Sequence, residues 1–146
     1  MIRRLAILQL GLLLLLSSSA GAQTQLGRTW TCALVNLAAT LTECQSVGLL
    51  AAGERYVITD IVVQTTTATA GTYSIQSGTG TNCGTNTAAL FPAGSTASRF
   101  TAPINSAMTA DIVFRTPVIG AADSAVCVIG TATNTINIQL IGFITR

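Results

Sequence analysis

The chain has no histidine, and its basic residues are seven arginines with no lysine. Without an imidazole there is no Ser-His or Cys-His activation of a nucleophile, and the commonest nitrogen ligand for zinc is missing. Charge of either sign is scarce, at 8% of residues where an ordinary globular protein carries roughly 25%. Arg3 and Arg4 fall in a segment read as a leader. The remainder has Arg28, Arg55, Arg99, Arg115 and Arg146 against Glu43, Glu54, Asp60, Asp111 and Asp123, five against five, so its net charge is zero. No basic run or stripe is left, and the electrostatic footprint for nucleic acid or an anionic membrane surface is missing. Aromatic residues are also few. A stacking platform for a sugar face has one tryptophan and two tyrosines to draw on, Trp30, Tyr56 and Tyr73.

What the chain does contain begins with an export signal. Met1 to Arg4 supply a positive start, Leu5 to Leu16 an apolar stretch too short to span a bilayer, and Ala20-Gly21-Ala22 a small-residue cleavage site. Residues 1–22 are therefore expected to be removed, and residues 23–146 to form one domain. That length suffices for a single core. No later segment is long and apolar enough to be read as a membrane span. Four cysteines, Cys32, Cys44, Cys83 and Cys127, in an exported chain predict two disulfides; metal ligation would need CxxC-like spacing or histidine partners. Of the three possible pairings, Cys32 with Cys44 and Cys83 with Cys127 is favoured. The first closes a short local loop, and the second ties a Gly-rich turn to a late strand. Loop-closure entropy makes these worth about 3 and about 4 kcal/mol.

Strand signals dominate the domain. Arg55 to Thr65, RYVITDIVVQT, is rich in β-branched residues and free of Gly and Pro, and reads as a central strand. At period two it places Val57, Thr59, Ile61 and Val63 on one face and Tyr56, Ile58, Asp60 and Val62 on the other, both largely apolar. Trp30 to Val35 reads as a strand. Leu37 to Cys44 reads either as its continuation or as a short helical turn. Gly71 to Gly78 carries Tyr73 and Ile75 on one face and is expected to pair with the Arg55 strand across a Thr-rich loop. Met108 to Thr116 points Ile112 and Phe114 one way and Asp111, Val113 and Arg115 the other, with Pro117 as its stop. Asp111 and Arg115 are placed to pair along or across a strand. Short strands are also read at Ser98 to Thr101 and Ser124 to Ile129. The last, Thr135 to Thr145, separates Ile136, Ile138, Leu140 and Ile144 from Asn137, Gln139, Ile141 and Phe143. Uncharged to its end, it would aggregate as an open edge and is expected between other strands or in a subunit contact.

The Gly-rich stretch Ser77 to Thr87 is not a phosphate cradle. The spacing of Gly78, Gly80 and Gly84 misses the dinucleotide pattern, and neither a Walker-type lysine nor an amphipathic helix follows. It reads as a tight loop pinned at Cys83. About seven or eight strands without a convincing helix predict an all-β, antiparallel two-sheet sandwich. A jelly-roll-like form is favoured, because the Cys-Trp-Cys arrangement of immunoglobulin domains is not present.

GERYVITDIVVQ, SIQSGTGTNCG, the Pro-bounded middle and SAVCVIG with its final alternating strand, spanning Gly53 to Phe143, resemble a small jelly-roll module of tailed-phage structural proteins and of exported bacterial proteins. The resemblance implies a β-sandwich, a cysteine pair placed like Cys83 and Cys127, and a structural or surface-display role, often as trimers. The leader and the pair Cys32 and Cys44 are not part of the phage pattern and favour a cell-surface, periplasmic or released protein.

The functional expectation is thus a structural or interaction module that associates with itself or with another surface protein. No catalytic residue, metal or cofactor is assigned; the carboxylates Asp60 and Asp111 are a pair such as any five acids would yield. Ile136, Ile138, Leu140, Ile141 and Phe143 are the candidate subunit contacts. The alternatives are a glycan-binding sandwich using Trp30, Tyr56 or Tyr73, and a pilin-like subunit that accepts a donated strand.

Overall fold

A computed structural model describes residues 27–37, 39–66, 71–97, 99–102, 109–131 and 136–146. The expected leader, residues 1–22, lies outside the described residues. Nine strands follow in order: β1 (Thr29–Leu34), β2 (Thr42–Gln45), β3 (Arg55–Thr65), β4 (Thr72–Thr79), β5 (Thr85–Phe91), β6 (Phe100–Thr101), β7 (Thr109–Ile119), β8 (Ala125–Ile129) and β9 (Ile136–Thr145). Two single turns of 3-10 helix, Val47–Leu49 and Thr81–Cys83, are the only helical elements among the described residues.

The strands pair as a nested antiparallel ribbon. β4 joins β5 at the centre, then β3 joins β7, β2 joins β8 and β1 joins β9 outward. Folded over on itself, the ribbon adds the pairs β3–β9 and β4–β8 and splits into two sheets, β1-β9-β3-β7 and β2-β8-β4-β5, with β6 attached to β4. This strand order is a jelly roll. It places β3 and β4, consecutive in the chain, in opposite sheets, so the expected pairing between them does not occur. β3 instead lies centrally in its sheet between β9 and β7. β9 is also interior, flanked along its length by β1 and β3. Its uncharged backbone is thereby paired on both sides.

The core fills the space between the sheets. Trp30, Cys32, Tyr56, Ile58, Ile61, Val63, Ile138 and Leu140 enter from one side, and Tyr73, Ile75, Val126 and Val128 from the other. β3 corrects its simple two-faced reading. Its register slips between Ile58 and Asp60 against both neighbours. A β-bulge there changes the phase, so Tyr56 and Ile58 before it and Ile61 and Val63 after it all face the core. A strict alternation would have sent one of these two pairs to the outside.

Three further elements depart from expectation. β7 does not stop at Pro117 but runs through it to Ile119. β7 is an edge strand, irregular against β3 between the levels of Asp60 and Ile58, and a residue without an N–H is tolerated there. β5, TNTAALF, occupies a stretch that carries no strand signal. The Leu37 to Cys44 region resolves into a connection and a separate short strand, β2, in the opposite sheet.

The disulfides form as paired in the sequence reading. Cys32–Cys44 links β1 to β2 and so joins the two sheets along one side, with the Cα atoms 5.7 Å apart. Cys83–Cys127 ties the turn after β4 to β8, with the Cα atoms 6.2 Å apart. Gly78 makes room for that turn, because a Cβ there would sit 2.8 Å from the Cys83 Cβ. Two disulfides and no free cysteine among the described residues fit an oxidising, extracellular or periplasmic setting.

Candidate interaction surface

The three aromatic rings proposed for ligand stacking are inside the protein. Trp30, Tyr56 and Tyr73 are 7%, 1% and 0% exposed, so no ring face is presented to a sugar and the stacking expectation is corrected. With so few aromatics, the core uses the largest available side chains to fill the gap between sheets. Trp30 meets Tyr56 edge-on at 5.3 Å and donates its indole N–H to the Phe143 carbonyl at 3.1 Å. Tyr56 donates its hydroxyl to the Ser46 carbonyl at 2.6 Å, tying the loop after β2 to the core. Burial pushes both tyrosine hydroxyls above the usual phenol range.

The proposed contact residues on β9 divide by the same alternation that the sequence showed. Ile136, Ile138 and Leu140 are 0%, 2% and 0% exposed and belong to the domain's own core, so they offer nothing to another subunit. Ile141 and Phe143 point to the outer side, half-buried.

The outer faces of the two sheets are treated very differently. Over the five-stranded sheet, Ser74 and Gln76 are buried although they point away from the core. Thr96 and Arg99 are bonded onto them. The Gln76 amide donates to the Ser74 hydroxyl at 3.1 Å and to the Thr96 carbonyl at 3.0 Å. The Arg99 guanidinium donates to the Ser74 hydroxyl at 3.1 Å and to the Thr96 carbonyl at 2.6 Å. Beside them the Cys83–Cys127 bridge packs with Ala125 and Leu41 in a small apolar cluster. This part of the face is covered by the chain's own loops.

The outer face of the four-stranded sheet is more open: Val57 is buried at one end, but Thr29, Thr31 and Ala33 on β1 and Asp111, Val113 and Arg115 on β7 are exposed. At one end, Val57 lies in register with Phe143 on β9 and Ile119 on β7, and Ile119 is exposed. Along β7, Asp111, Val113 and Arg115 all point outward and are exposed. At the far end, Ala33, Val35, Val62, Gln64, Thr109, Asn137 and Gln139 line a shallow depression of about 280 Å³ without a charged side chain. Such a lining holds no group that would do acid–base chemistry.

Several charged residues gather at one pole, where Glu54 lies near Arg28 and Arg146. The one ion pair among the described residues is Arg28–Glu54 at 2.7 Å. The same Glu54 oxygen accepts the Ala51 N–H at 2.8 Å, and these donors, Ala51 first, hold its carboxyl below the usual range. Asp123 accepts the Gly53 N–H at 2.7 Å and completes the turn that leads into β3. The Asp60 carboxylate takes the hydroxyl of its neighbour Thr59 at 2.6 Å. Asp111 and Arg115 share a face of β7 but form no ion pair with one another. Among the described residues no three His, Cys, Asp or Glu side chains come together in a geometry that would hold a metal ion, and no helix is long and apolar enough to cross a membrane.

The covering of the five-stranded sheet had no counterpart in the sequence reading, because its anchors, Ser74, Gln76 and Thr96, are ordinary polar residues. No protein-family model, curated protein or solved structure matches the chain.

Proposed function

We propose that this is an exported structural module that self-associates through its four-stranded sheet and performs no chemistry. The observation that carries this reading is the asymmetry of the two outer faces. The chain folds its own loops over part of one sheet and leaves most of the other open, with Val35 just after β1 and Val113 and Ile119 on β7 exposed at 72%, 66% and 55%. Exposed apolar positions on an open sheet face favour contact with another protein surface. The two disulfides support display outside the reducing cytosol. Burial of Trp30, Tyr56 and Tyr73 argues against a glycan platform, and a sheet whose interior position is already filled by β9 argues against acceptance of a donated strand.

The test is a concentration series of residues 23–146 by sedimentation velocity and light scattering. A mass above that of the monomer, rising with concentration, is the expected result. A monomer that persists to about 1 mM, the range of the weakest specific contacts, refutes the proposal.

A further inference from the structure

A two-sheet sandwich has four edge strands, and three of these are engaged or distorted. In β1, the Thr31 carbonyl already accepts the side-chain amide of Gln45 at 3.0 Å. β2 is four residues long, and the Glu43 N–H donates to the Asn82 side-chain oxygen at 3.3 Å. β5 slips register twice against β4, between Ile75 and Gln76 and between Ser77 and Thr79. Shortness, side-chain capping and bulges are the devices that blunt an edge.

β7 is different over its first seven residues. Its in-and-out alternation is unbroken from Thr109 to Arg115, and its register against β3 is regular from Thr109 to Val113. Only beyond Arg115 does it lose alternation and reach Pro117. The outward residues of this stretch and of the alternation just past it read acid, valine, arginine: Asp111, Val113, Arg115.

That order is complementary to itself when reversed. We propose that β7 pairs antiparallel with β7 of a second copy about a two-fold axis through Val113, so that Asp111 of each copy faces Arg115 of the other. The axis sets Val113 against its own equivalent, an apolar pair flanked by two opposite-charge pairs, each a favourable cross-strand combination. A parallel arrangement puts acid beside acid and arginine beside arginine. A two-residue slip of the antiparallel register unmakes both charge pairs. The two charges therefore act as a register lock: they admit one arrangement of this edge and penalise the others. Ile112 and Phe114, between the outward residues, pack against the domain's own core, so pairing needs no repacking. An isologous two-fold contact is also the commonest way for identical chains to associate. This inference rests on the reading of the domain as a self-associating module and specifies the contact.

The test compares wild type, Asp111→Arg, Arg115→Asp and an equimolar mixture of the two variants by sedimentation velocity. Both positions are exposed, and the emission of the single, buried Trp30 verifies that each variant is folded. Wild type is expected to dimerise. Each variant alone carries two like-charge pairs across the axis, and its dimerisation should weaken roughly tenfold or more. The mixture should dimerise again, because a heterodimer has opposite charges at both places: the unchanged Arg115 of one copy faces the unchanged Asp111 of the other, and the two introduced residues form the second pair with reversed signs. If wild type associates and either variant associates equally well, the β7 register is wrong while self-association stands. A mixture that stays monomeric after both variants have weakened also overturns the register. A wild type monomeric to about 1 mM overturns both this contact and the proposed function.

Discussion

Gly142 is the position where the fold tolerates least. It sits in β9 opposite Ile58, and a Cβ built on it collides with the Val57 carbonyl of the neighbouring strand and comes within 3.1 Å of the Trp30 ring. The first obstacle is backbone in the central strand of the sheet, so relief requires β3 and β9 to separate locally. Those strands share ten registered pairs. The second obstacle is the indole that donates to the Phe143 carbonyl one residue away. Inserting a methyl into a well-packed core costs typically about 1–3 kcal/mol, and the rigid backbone contact puts Gly142→Ala at the upper end, near 3 kcal/mol. Loss of the indole hydrogen bond adds about 1 kcal/mol. For a domain of this length such a loss lowers Tm by roughly 10–15 °C. Gly48→Ala is the matched control, because its added Cβ finds only the Ser46 hydroxyl at an ordinary 3.6 Å. It should stay within about 0.5 kcal/mol of wild type. Urea unfolding followed by Trp30 fluorescence reads both variants. If Gly142→Ala is as stable as Gly48→Ala, the packing of Trp30 over this glycine is wrong.

The further predictions concern the bridges and pH. Replacing Cys32 and Cys44 together by alanine should cost about 3 kcal/mol, and replacing Cys83 and Cys127 about 4 kcal/mol, because the second pair closes 44 residues of sequence separation against 12; equilibrium unfolding of the two double variants reads the order, and the reverse order contradicts the loop-entropy account. With no histidine in the chain, stability should be flat between about pH 6 and 8, where histidine alone among unperturbed side chains titrates. Glu54 has its folded-state pKa depressed, so its contribution is fully present above the unfolded carboxylate value and is lost as the pH falls through the folded value. Glu54→Gln should remove part of the acid limb of a thermal-denaturation pH profile. Tyr56 and Tyr73 are shifted the other way, so their contribution is present below the ordinary phenol value and lost as the pH rises through their folded values. Alkaline unfolding monitored by tyrosinate absorbance checks this.

The sequence made β3 and β9 legible because their β-branched and aliphatic residues suit a pleated, buried surface and little else. The bulge in β3 was hidden for the same reason. Val57 and Ile58 before it, and Ile61, Val62 and Val63 after it, supply an apolar residue in either phase, so no change of face shows in the pattern. β5 lacked any signal, since Thr-Asn-Thr-Ala-Ala carries little strand preference and owes its conformation to β4. Proximity in the chain misled the pairing of β3 with β4: consecutive strands usually neighbour each other, but the folded ribbon sends these two to opposite sheets. The cysteine pairing was readable from a short local loop for Cys32 with Cys44 and from a Gly-rich turn facing a late strand for Cys83 with Cys127. For the candidate surface, the alternation of β7 exposed Asp111, Val113 and Arg115 correctly, and that of β9 separated Ile141 and Phe143 from the core. Which outer face stays more open was not readable, because the segment covering part of the other one is held by the Ser74 hydroxyl, the Gln76 amide and the Thr96 carbonyl and has no hydrophobic signature.

The outermost rung of the ribbon has a geometric consequence for how the domain is mounted. Thr29 sits opposite Phe143, and the Ile144 N–H donates to the Arg28 carbonyl at 2.8 Å, so the backbone enters and leaves at a single pole. A tether attached near Gly27 and another near Arg146 would emerge side by side. The module can therefore be carried on a stalk, or spliced into a surface loop of a host protein, with its broad flanks and its distal pole unobstructed.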